Sequence, residues 1–236
     1  MYVLGFLASY FLIKVQPRAR RLGLQGRLLQ DLIFYCAIGL IIGARLGYVL
    51  FYQFPDFGYY LEHPLEIIAV WHGGMSFHGG LIGAVLGGIL FCRTRKLPLW
   101  EVADTVIVTA PIALGLGRLG NFINGELYGR ISSVPWAMVF PTGGPLPRHP
   151  SQLYEAGLEG VLLFIILWGL KGMQFRPGAM VCLFLAGYGT FRFLVEFFRQ
   201  PDPQIGLLWG MFSMGQMLCL AMILAAVILW MLLKEK

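Results

Sequence analysis

Seven long apolar runs limit the fold of this sequence more than any other feature. About 20 consecutive apolar residues span the hydrocarbon core of a bilayer as a helix. Of the 236 residues, 58% are hydrophobic and 13% are charged, whereas ordinary soluble domains carry roughly 25% charged residues. The pattern predicts an all-α polytopic membrane protein that forms one integral membrane domain over residues 1–236. The predicted spans are approximately 1–15, 31–54, 77–92, 99–120, 151–170, 178–198 and 207–233.

Lysine and arginine cluster after alternate apolar runs. The clusters are Lys14 to Arg27, Arg93 to Lys96, Lys171 with Arg176, and Lys234 with Lys236. Cytoplasmic loops carry the excess of basic residues in membrane proteins. We therefore expect seven transmembrane helices, with the N-terminus outside and the C-terminus in the cytoplasm. Since these loops account for most of the basic residues behind the net charge of +6, no nucleic-acid partner is predicted.

The remaining basic residues are all arginines, and they lie in spans or on the outer side. A basic outer surface runs against the positive-inside rule, so another reason for these residues is needed. The planar guanidinium group suits phosphate or carboxylate. The six residues are Arg45, Arg118, Arg130, Arg148, Arg192 and Arg199. The four cysteines fall in apolar runs and predict small core residues rather than a disulfide framework or a metal site.

The first polar cluster is "HGGMSFHGGLIG", from His72 to Gly83. Its run is short and Gly-rich, which predicts a broken or tilted helix. Irregular backbone at membrane depth is tolerated only against protein or a water-filled cavity. We therefore expect His78 to face a cavity, where a histidine can act as a base near neutral pH. The alternative is a helix-packing histidine with both ring nitrogens satisfied.

The second cluster, "GRLGNFINGE", runs from Gly117 to Glu126 and opens a small outer head segment predicted around 121–150. A helix that continues through it would place Arg118, Asn121 and Asn124 on one side. A charged residue inside a membrane is costly and is normally paired or functional. Two interpretations follow: an Arg118–Glu126 ion pair that closes the helix end, or phosphate binding by Arg118 with asparagine donors.

The third cluster is "GYGTFRFLVEFFRQPD", from Gly187 to Asp202. Tyr188, Arg192 and Glu196 are four residues apart, so a helix would align them in one polar stripe. An exposed helical ion pair contributes only about 0.3–0.5 kcal/mol, which favours a stripe that faces an interior cavity.

A fourth motif, "RHPSQLYEAGLEG", predicts a helix start with Ser151 as N-cap and Glu155 in the first turn.

Together the clusters predict that Arg118 and Arg192 converge on an anion in an outward-facing cavity, with His78 and Tyr188 for proton chemistry. In a protein embedded in lipid, the natural anion is a phospholipid headgroup. An enzyme and a phospholipid transporter or scramblase are both compatible with these residues. A transporter predicts internal repeats, yet the sequence holds no second copy of "GRLGNFINGE" or of the "HGG" stretch.

The motifs "GGMSFHGGLIG", "GRLGNFINGELYGR", "RHPSQLYE", "YGTFRFLVEFFRQPD" and "SMGQ" resemble, in order, those of the prolipoprotein diacylglyceryl transferase family. The resemblance covers nearly the whole chain. It implies a seven-helix enzyme of the bacterial inner membrane whose active site faces the outer side. Such an enzyme moves the diacylglyceryl group of phosphatidylglycerol to the lipobox cysteine of a preprolipoprotein. A thioether forms and glycerol phosphate leaves, without a metal or cofactor.

The resemblance also implies site residues. Arg118 matches the family's phosphatidylglycerol-binding arginine, Arg192 its second essential arginine, and His78 the histidine of the "HGG" motif. Other functional or structurally required positions of the family correspond in this sequence to Asn121, Glu126, Gly129, Tyr188 and Glu196. We expect His78, Arg192 and Tyr188 to act in catalysis and the others, with Arg118, to bind phosphatidylglycerol. The family also carries an outer segment with a Tyr-Gly pair before its first span, whereas this sequence opens at "MYVLGF".

Overall fold

The computed structural model describes residues 1–54, 57–200, 207–208 and 212–233, and most of them are helical. The α-helices are α1 (Tyr2–Lys14), α2 (Pro17–Arg21), α3 (Gly26–Gly47), α4 (Phe57–Glu62), α5 (Leu65–Ile68), α6 (Phe77–Thr94), α7 (Leu99–Ile107), α8 (Ala110–Ile123), α9 (Ser151–Glu155), α10 (Leu163–Leu170), α11 (Ala179–Val195) and α12 (Met214–Leu232). A π-helical stretch, Tyr48–Tyr52, extends α3, and a second, Ala156–Leu162, joins α9 to α10. A 3₁₀ turn covers Val70–His72.

Strand pairing is sparse, so the prediction of a helical fold is confirmed in its main feature and incomplete in detail. The strands β1 (Leu207–Leu208) and β2 (Phe212–Ser213) pair antiparallel just before α12. The head segment between α8 and α9 contains no helix, and three isolated bridges link Gly129 to Arg199 and both Ile131 and Met138 to Arg148. Its "PTGGPLP" stretch is rich in residues that interrupt helices.

Each predicted apolar run contains helix, but the helices differ in length. Among the described residues, four are long and apolar enough to cross a membrane: Gly26–Tyr52, Phe77–Thr94, Ser151–Leu170 and Met214–Leu232. The α7–α8 pair makes a fifth if its 41° bend is counted as one span, while Val3–Lys14 and Ala179–Val195 are shorter. The count of seven spans stays a prediction. Part of the predicted span 207–233 lies outside the described residues, as do Lys234 and Lys236.

The prediction of a broken helix in the Gly-rich third run is wrong, because α6 is continuous from Phe77 to Thr94. The break lies instead in the fourth run, between Ile107 and Ala110. Pro111 stands in the first turn of α8. Proline lacks the backbone N–H, and its ring clashes with the carbonyl four residues earlier, which here belongs to Ile107. The helix therefore ends at Ile107 and begins again at Ala110.

The chain divides into two compact units. The large unit contains Met1–Arg18 and Ala103–Lys236, and the small unit contains Ala19–Val102. The prediction of one domain over the whole chain stays a prediction.

In the small unit, α3 and α6 pack backbone to backbone. A Cβ atom added to Gly83 would lie inside van der Waals contact of the Gly39 carbonyl and 2.9 Å from the Cα of Gly43. In lipid, helices associate through close packing rather than a hydrophobic driving force, and small residues permit the approach. The glycines that face each other are Gly39, Gly43 and Gly47 on α3 and Gly79, Gly83 and Gly87 on α6. They support a helix crossing rather than a helix break.

The large unit uses a similar contact beside its polar centre. A Cβ atom on Gly160 would lie 2.8 Å from the Cα of Gly115, so α8 and the π-helical stretch Ala156–Leu162 meet with no side chain between them. A buried apolar cluster of this unit consists of Val108 just before α8, Leu163 and Leu167 on α10, and Met180 on α11.

A buried ion pair fixes the first turn of α11. Asp104 has no exposed surface and pairs with Arg18 at 2.8 Å. Its carboxylate also accepts hydrogen bonds from the backbone N–H groups of Gly178 (2.9 Å) and Val181 (3.2 Å). The first N–H groups of a helix have no partner within the helix, and Asp104 supplies one from α7. This contact anchors the end of α11 that is remote from Arg192.

Gly83→Ala is expected to destabilise the α3–α6 packing by about 1–3 kcal/mol, because the new methyl group has no space at the crossing. The measurement is the thermal unfolding midpoint in detergent micelles.

Gly88→Ala on the same helix is the control, since a Cβ atom there would only touch the Cys36 sulfur at 3.7 Å. If both variants melt at the wild-type temperature, the crossing does not limit stability.

Candidate active site

The centre of the large unit is one buried carboxylate that binds three arginines. The Glu155 side chain is 1% exposed. Its Oε2 lies 2.5 Å from Nε of Arg118, and its Oε1 accepts hydrogen bonds from Nη1 of Arg192 at 3.0 Å and Nη1 of Arg199 at 3.3 Å. The three arginines come from α8, from the last turn of α11 and from the residues just after α11. The structure thus brings the predicted pair, Arg118 and Arg192, onto a shared anion within the protein.

The start of α9 explains how Glu155 reaches this position. The prediction that Ser151 caps the helix is wrong, because its hydroxyl donates to the Leu127 carbonyl at 3.2 Å instead. Gln152 Nε2 donates to the Glu126 carbonyl at 2.7 Å. These contacts attach the first turn of α9, with the buried Ser151 and Gln152, to the head segment. The prediction of Glu155 in the first turn is wrong, because the helix already begins at Ser151 and the buried Glu155 follows that turn.

A second carboxylate follows four residues later, where the helix changes its winding. Glu159 lies in the π-helical stretch Ala156–Leu162 and has no exposed surface. Short π-helical segments occur frequently at functional sites. The Oε1 atom of Glu159 is 4.0 Å from Nη1 of Arg192, and the Tyr188 phenol lies beside the carboxylate. Neither carboxylate oxygen accepts a hydrogen bond of normal geometry from the described residues.

The predicted polar stripe of α11 is present and continues onto α12. Nη2 of Arg192 lies 2.9 Å from Oε2 of Glu196, which is 5% exposed, so this ion pair is buried. The other Glu196 oxygen accepts a hydrogen bond from the Ser213 hydroxyl at 3.0 Å. Ser213 in turn forms a capping box with Gln216 at the start of α12. The stripe therefore links the arginine centre to the first turn of the last helix.

Arg118 retains donors that the protein leaves unused. Its Nε lies against Glu155, whereas neither terminal Nη group donates a hydrogen bond to any described residue. The Arg118 side chain is 20% exposed, compared with 14% for Arg192. A guanidinium group held at one edge presents its other donors in a fixed geometry that suits a phosphate or carboxylate.

The Arg118–Glu126 ion pair, which was one of the two interpretations, does not form. Gly125 turns the chain with φ +68°, and Glu126 is exposed. Its Oε1 accepts hydrogen bonds from Asn121 Nδ2 at 2.9 Å and Asn124 Nδ2 at 3.2 Å. Arg118 pairs with Glu155 instead, because α9 places that carboxylate in the interior.

Gly129 contributes through its backbone. Its N–H donates to the His149 carbonyl at 2.8 Å, and a Cβ atom would lie 2.7 Å from the His149 Cβ. The next residue, Arg130, donates its N–H to the Phe198 carbonyl at 2.9 Å. The head segment is thereby attached to the chain immediately before Arg199.

Three of the six arginines singled out in the sequence bind backbone carbonyl groups. Arg45 donates to the carbonyls of Ile67 (3.1 Å), Gly73 (2.5 Å), Gly74 (3.2 Å) and Glu66. In the head segment, Arg130 donates to Arg199, and Arg148 donates to Gly143 and Gly129. The guanidinium groups of these three arginines therefore fix irregular backbone, while those of Arg118, Arg192 and Arg199 bind carboxylate.

His78 belongs to the small unit, where it lies in the first turn of α6. Ser76 caps this helix by accepting a hydrogen bond from the Gly79 N–H at 3.1 Å. His78 is exposed, and neither ring nitrogen hydrogen-bonds a described residue. The alternative interpretation, a helix-packing histidine with both ring nitrogens satisfied, is therefore wrong. It lines a groove of about 340 Å³ whose other residues are Phe51, Tyr52, Ser76, Gly79 and Ile82.

Sequence reasoning missed the two carboxylates of the "QLYEAGLEG" stretch. Glu155 was assigned to a helix start and Glu159 was given no role. The available signal was their spacing, because two acidic residues four apart in an apolar run place two costly charges on one helix side. Ser213 carried no comparable local signal. Among the described residues, no group of three or more His, Cys, Asp or Glu side chains could hold a metal ion.

Apolar helices around a buried arginine–glutamate centre define a polytopic membrane protein whose ionisable groups face its interior. A family model described as prolipoprotein diacylglyceryl transferase matches residues 1–232. The chain belongs to this family, and it is an enzyme of the transferase class. The alternative of a phospholipid transporter or scramblase gains no support from this membership.

Three relatives, each named phosphatidylglycerol–prolipoprotein diacylglyceryl transferase, illustrate the similarity. That of Geobacter sulfurreducens is 54% identical over 236 residues, covering 100% of this chain and 90% of the relative. That of Desulfotalea psychrophila is 50% identical over 236 residues, with 98% and 86% covered. That of Bordetella avium is 53% identical over 234 residues, with 98% and 88% covered.

Glu155→Gln is expected to lower stability by about 3–5 kcal/mol, the effect of breaking a buried ion pair from one side. The change preserves side-chain size and removes the charge that the three guanidinium groups share. Thermal unfolding in detergent micelles measures the effect.

Glu62→Gln, at an exposed carboxylate, is the matched control and should melt as the wild type does. Equal melting of the two variants would contradict the central role of Glu155.

Proposed function

We propose that this protein transfers the diacylglyceryl group of phosphatidylglycerol to the lipobox cysteine thiol of preprolipoproteins. A thioether forms and glycerol phosphate is released, which is the first step of bacterial lipoprotein maturation. Family membership supports the reaction type. The observation that carries the proposal is the geometry of Arg118, whose Nε lies against Glu155 while its partly exposed terminal nitrogens donate no hydrogen bond to the described residues.

Arg118 and Arg192 hold the phosphate of the lipid in this proposal. A phosphodiester carries one negative charge, and more charge develops on its leaving oxygen as the carbon–oxygen bond breaks. Donors that are fixed before the reaction stabilise such charge without reorganisation. The shared contact with Glu155 fixes both arginines. Asn121 and Glu126 lie at the exposed end of α8 and contribute to headgroup binding, while Gly129 and Glu196 maintain the backbone and the Arg192 position.

The nucleophile is the lipobox cysteine as its thiolate. Its sulfur attacks the glycerol carbon that carries the phosphate, the carbon–oxygen bond breaks, and the electron pair leaves on the phosphate oxygen. His78 and Tyr188 assist removal of the thiol proton. Supporting observations are the exposed, unbonded imidazole of His78 in its groove and the position of Tyr188 beside Glu159.

The proposed setting is the bacterial inner membrane, with seven spans, the N-terminus outside, the C-terminus in the cytoplasm and the active site toward the outer side. The alternating basic clusters support this orientation. Exposed apolar side chains along the helices, such as Ile41, Leu86 and Leu224, support contact with membrane lipid. The partners are phosphatidylglycerol and the signal peptide of a preprolipoprotein, and the reaction proposed here uses no cofactor.

The test is diacylglyceryl transfer from phosphatidylglycerol to a lipobox peptide by purified protein. We expect the wild type to transfer and Arg118→Ala to lose about 10²–10³-fold in rate, as when one fixed donor to developing charge is removed. Arg118→Lys should recover only part of the loss, because lysine keeps the charge but not the planar fork.

Arg20→Ala, at an exposed arginine of α2, is the control and should transfer at the wild-type rate. Wild-type activity in Arg118→Ala would overturn the phosphate role. If the wild type moves phosphatidylglycerol between leaflets but transfers nothing to the peptide, a lipid transporter becomes the better explanation.

A further inference from the structure

Glu159 is a buried carboxylate to which the proposed function gives no role. Its side chain has no exposed surface, neither oxygen accepts a hydrogen bond of normal geometry from the described residues, and the Tyr188 phenol lies beside it as a donor. Its closest approach to a guanidinium group is 4.0 Å, to Nη1 of Arg192, which already donates to Glu155. An ionised carboxylate that no donor meets at good geometry is costly in the interior. The Glu159 carboxylate can therefore bind a proton or accept a hydrogen bond from a substrate.

Its position in the active centre is fixed by the backbone. Glu159 lies one turn after Glu155, in the π-helical stretch that contacts α8 through Gly160 and Gly115. The Tyr188 phenol lies beside its carboxylate, and Glu155 and Arg192 complete the immediate charged surroundings, with Arg118 further along the same centre. A proton that leaves a substrate next to Tyr188 has a short route to Glu159.

The charges of the centre show why a proton acceptor is needed. Three arginines face three glutamates, so the centre is neutral when all six are ionised. A bound phosphodiester adds one negative charge, and an ionised thiol adds another. In a low-dielectric interior two uncompensated charges are costly, and a proton kept within the site removes one of them. Glu155 and Glu196 each lie within 3.0 Å of an arginine nitrogen, so protonating either would weaken an existing ion pair.

We propose that Glu159 holds the proton in transit: it receives the proton that the lipobox thiol loses and returns it to the leaving phosphate. The S–H bond breaks, and the sulfur electron pair forms the new S–C bond. The C–O bond breaks with its electron pair on the phosphate oxygen, and the proton ends on that oxygen. Glycerol phosphate then leaves as a monoanion and the charge of the centre is unchanged. Tyr188 conducts the proton and Glu159 stores it.

This inference rests on the proposed function, and the experiment separates the two. Full-length wild type and Glu159→Gln are compared in phosphatidylglycerol micelles with two lipobox peptides that differ only in cysteine or selenocysteine. A selenol is ionised at neutral pH, so it needs no proton acceptor. We expect the transfer rate of Glu159→Gln to the cysteine peptide to fall about 10²-fold or more, the usual effect of removing a general acid or base. The loss with the selenocysteine peptide should be much smaller.

Two further measurements separate a chemical role from a structural one. Phosphatidylglycerol retained by purified Glu159→Gln should equal that of the wild type, and Glu159→Asp should recover part of the cysteine-peptide activity. If the wild type transfers, two results for Glu159→Gln would overturn the role of Glu159. One is an equal loss of transfer rate with both peptides, and the other is undiminished transfer to the cysteine peptide. A wild type that transfers to neither peptide would overturn the proposed function itself.

Discussion

The carboxylate of Glu155 is the contact on which the polar centre depends, because three arginines from different parts of the chain share it. Uncompensated charges would be very costly among apolar helices, so the ends of α8, α9 and α11 are held together as one set. The arrangement also positions the arginines before any lipid arrives. A site whose donors are already oriented stabilises developing charge without spending free energy on reorganisation. Stability and the proposed chemistry thus depend on the same side chain.

Glycine contacts make this arrangement possible. Gly115 and Gly160 let α8 approach the π-helical stretch Ala156–Leu162, and the charged side chains that follow can then meet. In the small unit, glycines let α3 and α6 approach closely, and His78 lies in the first turn of α6, on the groove. Both contacts replace the hydrophobic driving force that lipid does not supply between helices.

Arginine has two distinct uses in this protein, and both follow from its planar fork. Arg45 and Arg148 donate to several carbonyl groups and fix backbone that has no helical hydrogen bonds. Arg118, Arg192 and Arg199 bind carboxylate, and Arg118 alone among these three has terminal nitrogens that donate no hydrogen bond to the described residues. The proposed lipid site therefore depends on which arginine retains open donors rather than on how many arginines are present.

The sequence alone determined where apolar helices form, since hydrophobicity over about 20 residues is a local property, and its long motifs indicated the family. It also placed Tyr188, Arg192 and Glu196 on one face through the helical repeat. Tertiary structure decided which groups pair. Arg118 binds Glu155, 37 positions away in the sequence, rather than the nearby Glu126, and Ser151 bonds the head segment rather than its own helix. Such partners are selected by how helices pack, because the free energy of a buried charge depends on every neighbour that surrounds it and not on its place along the chain.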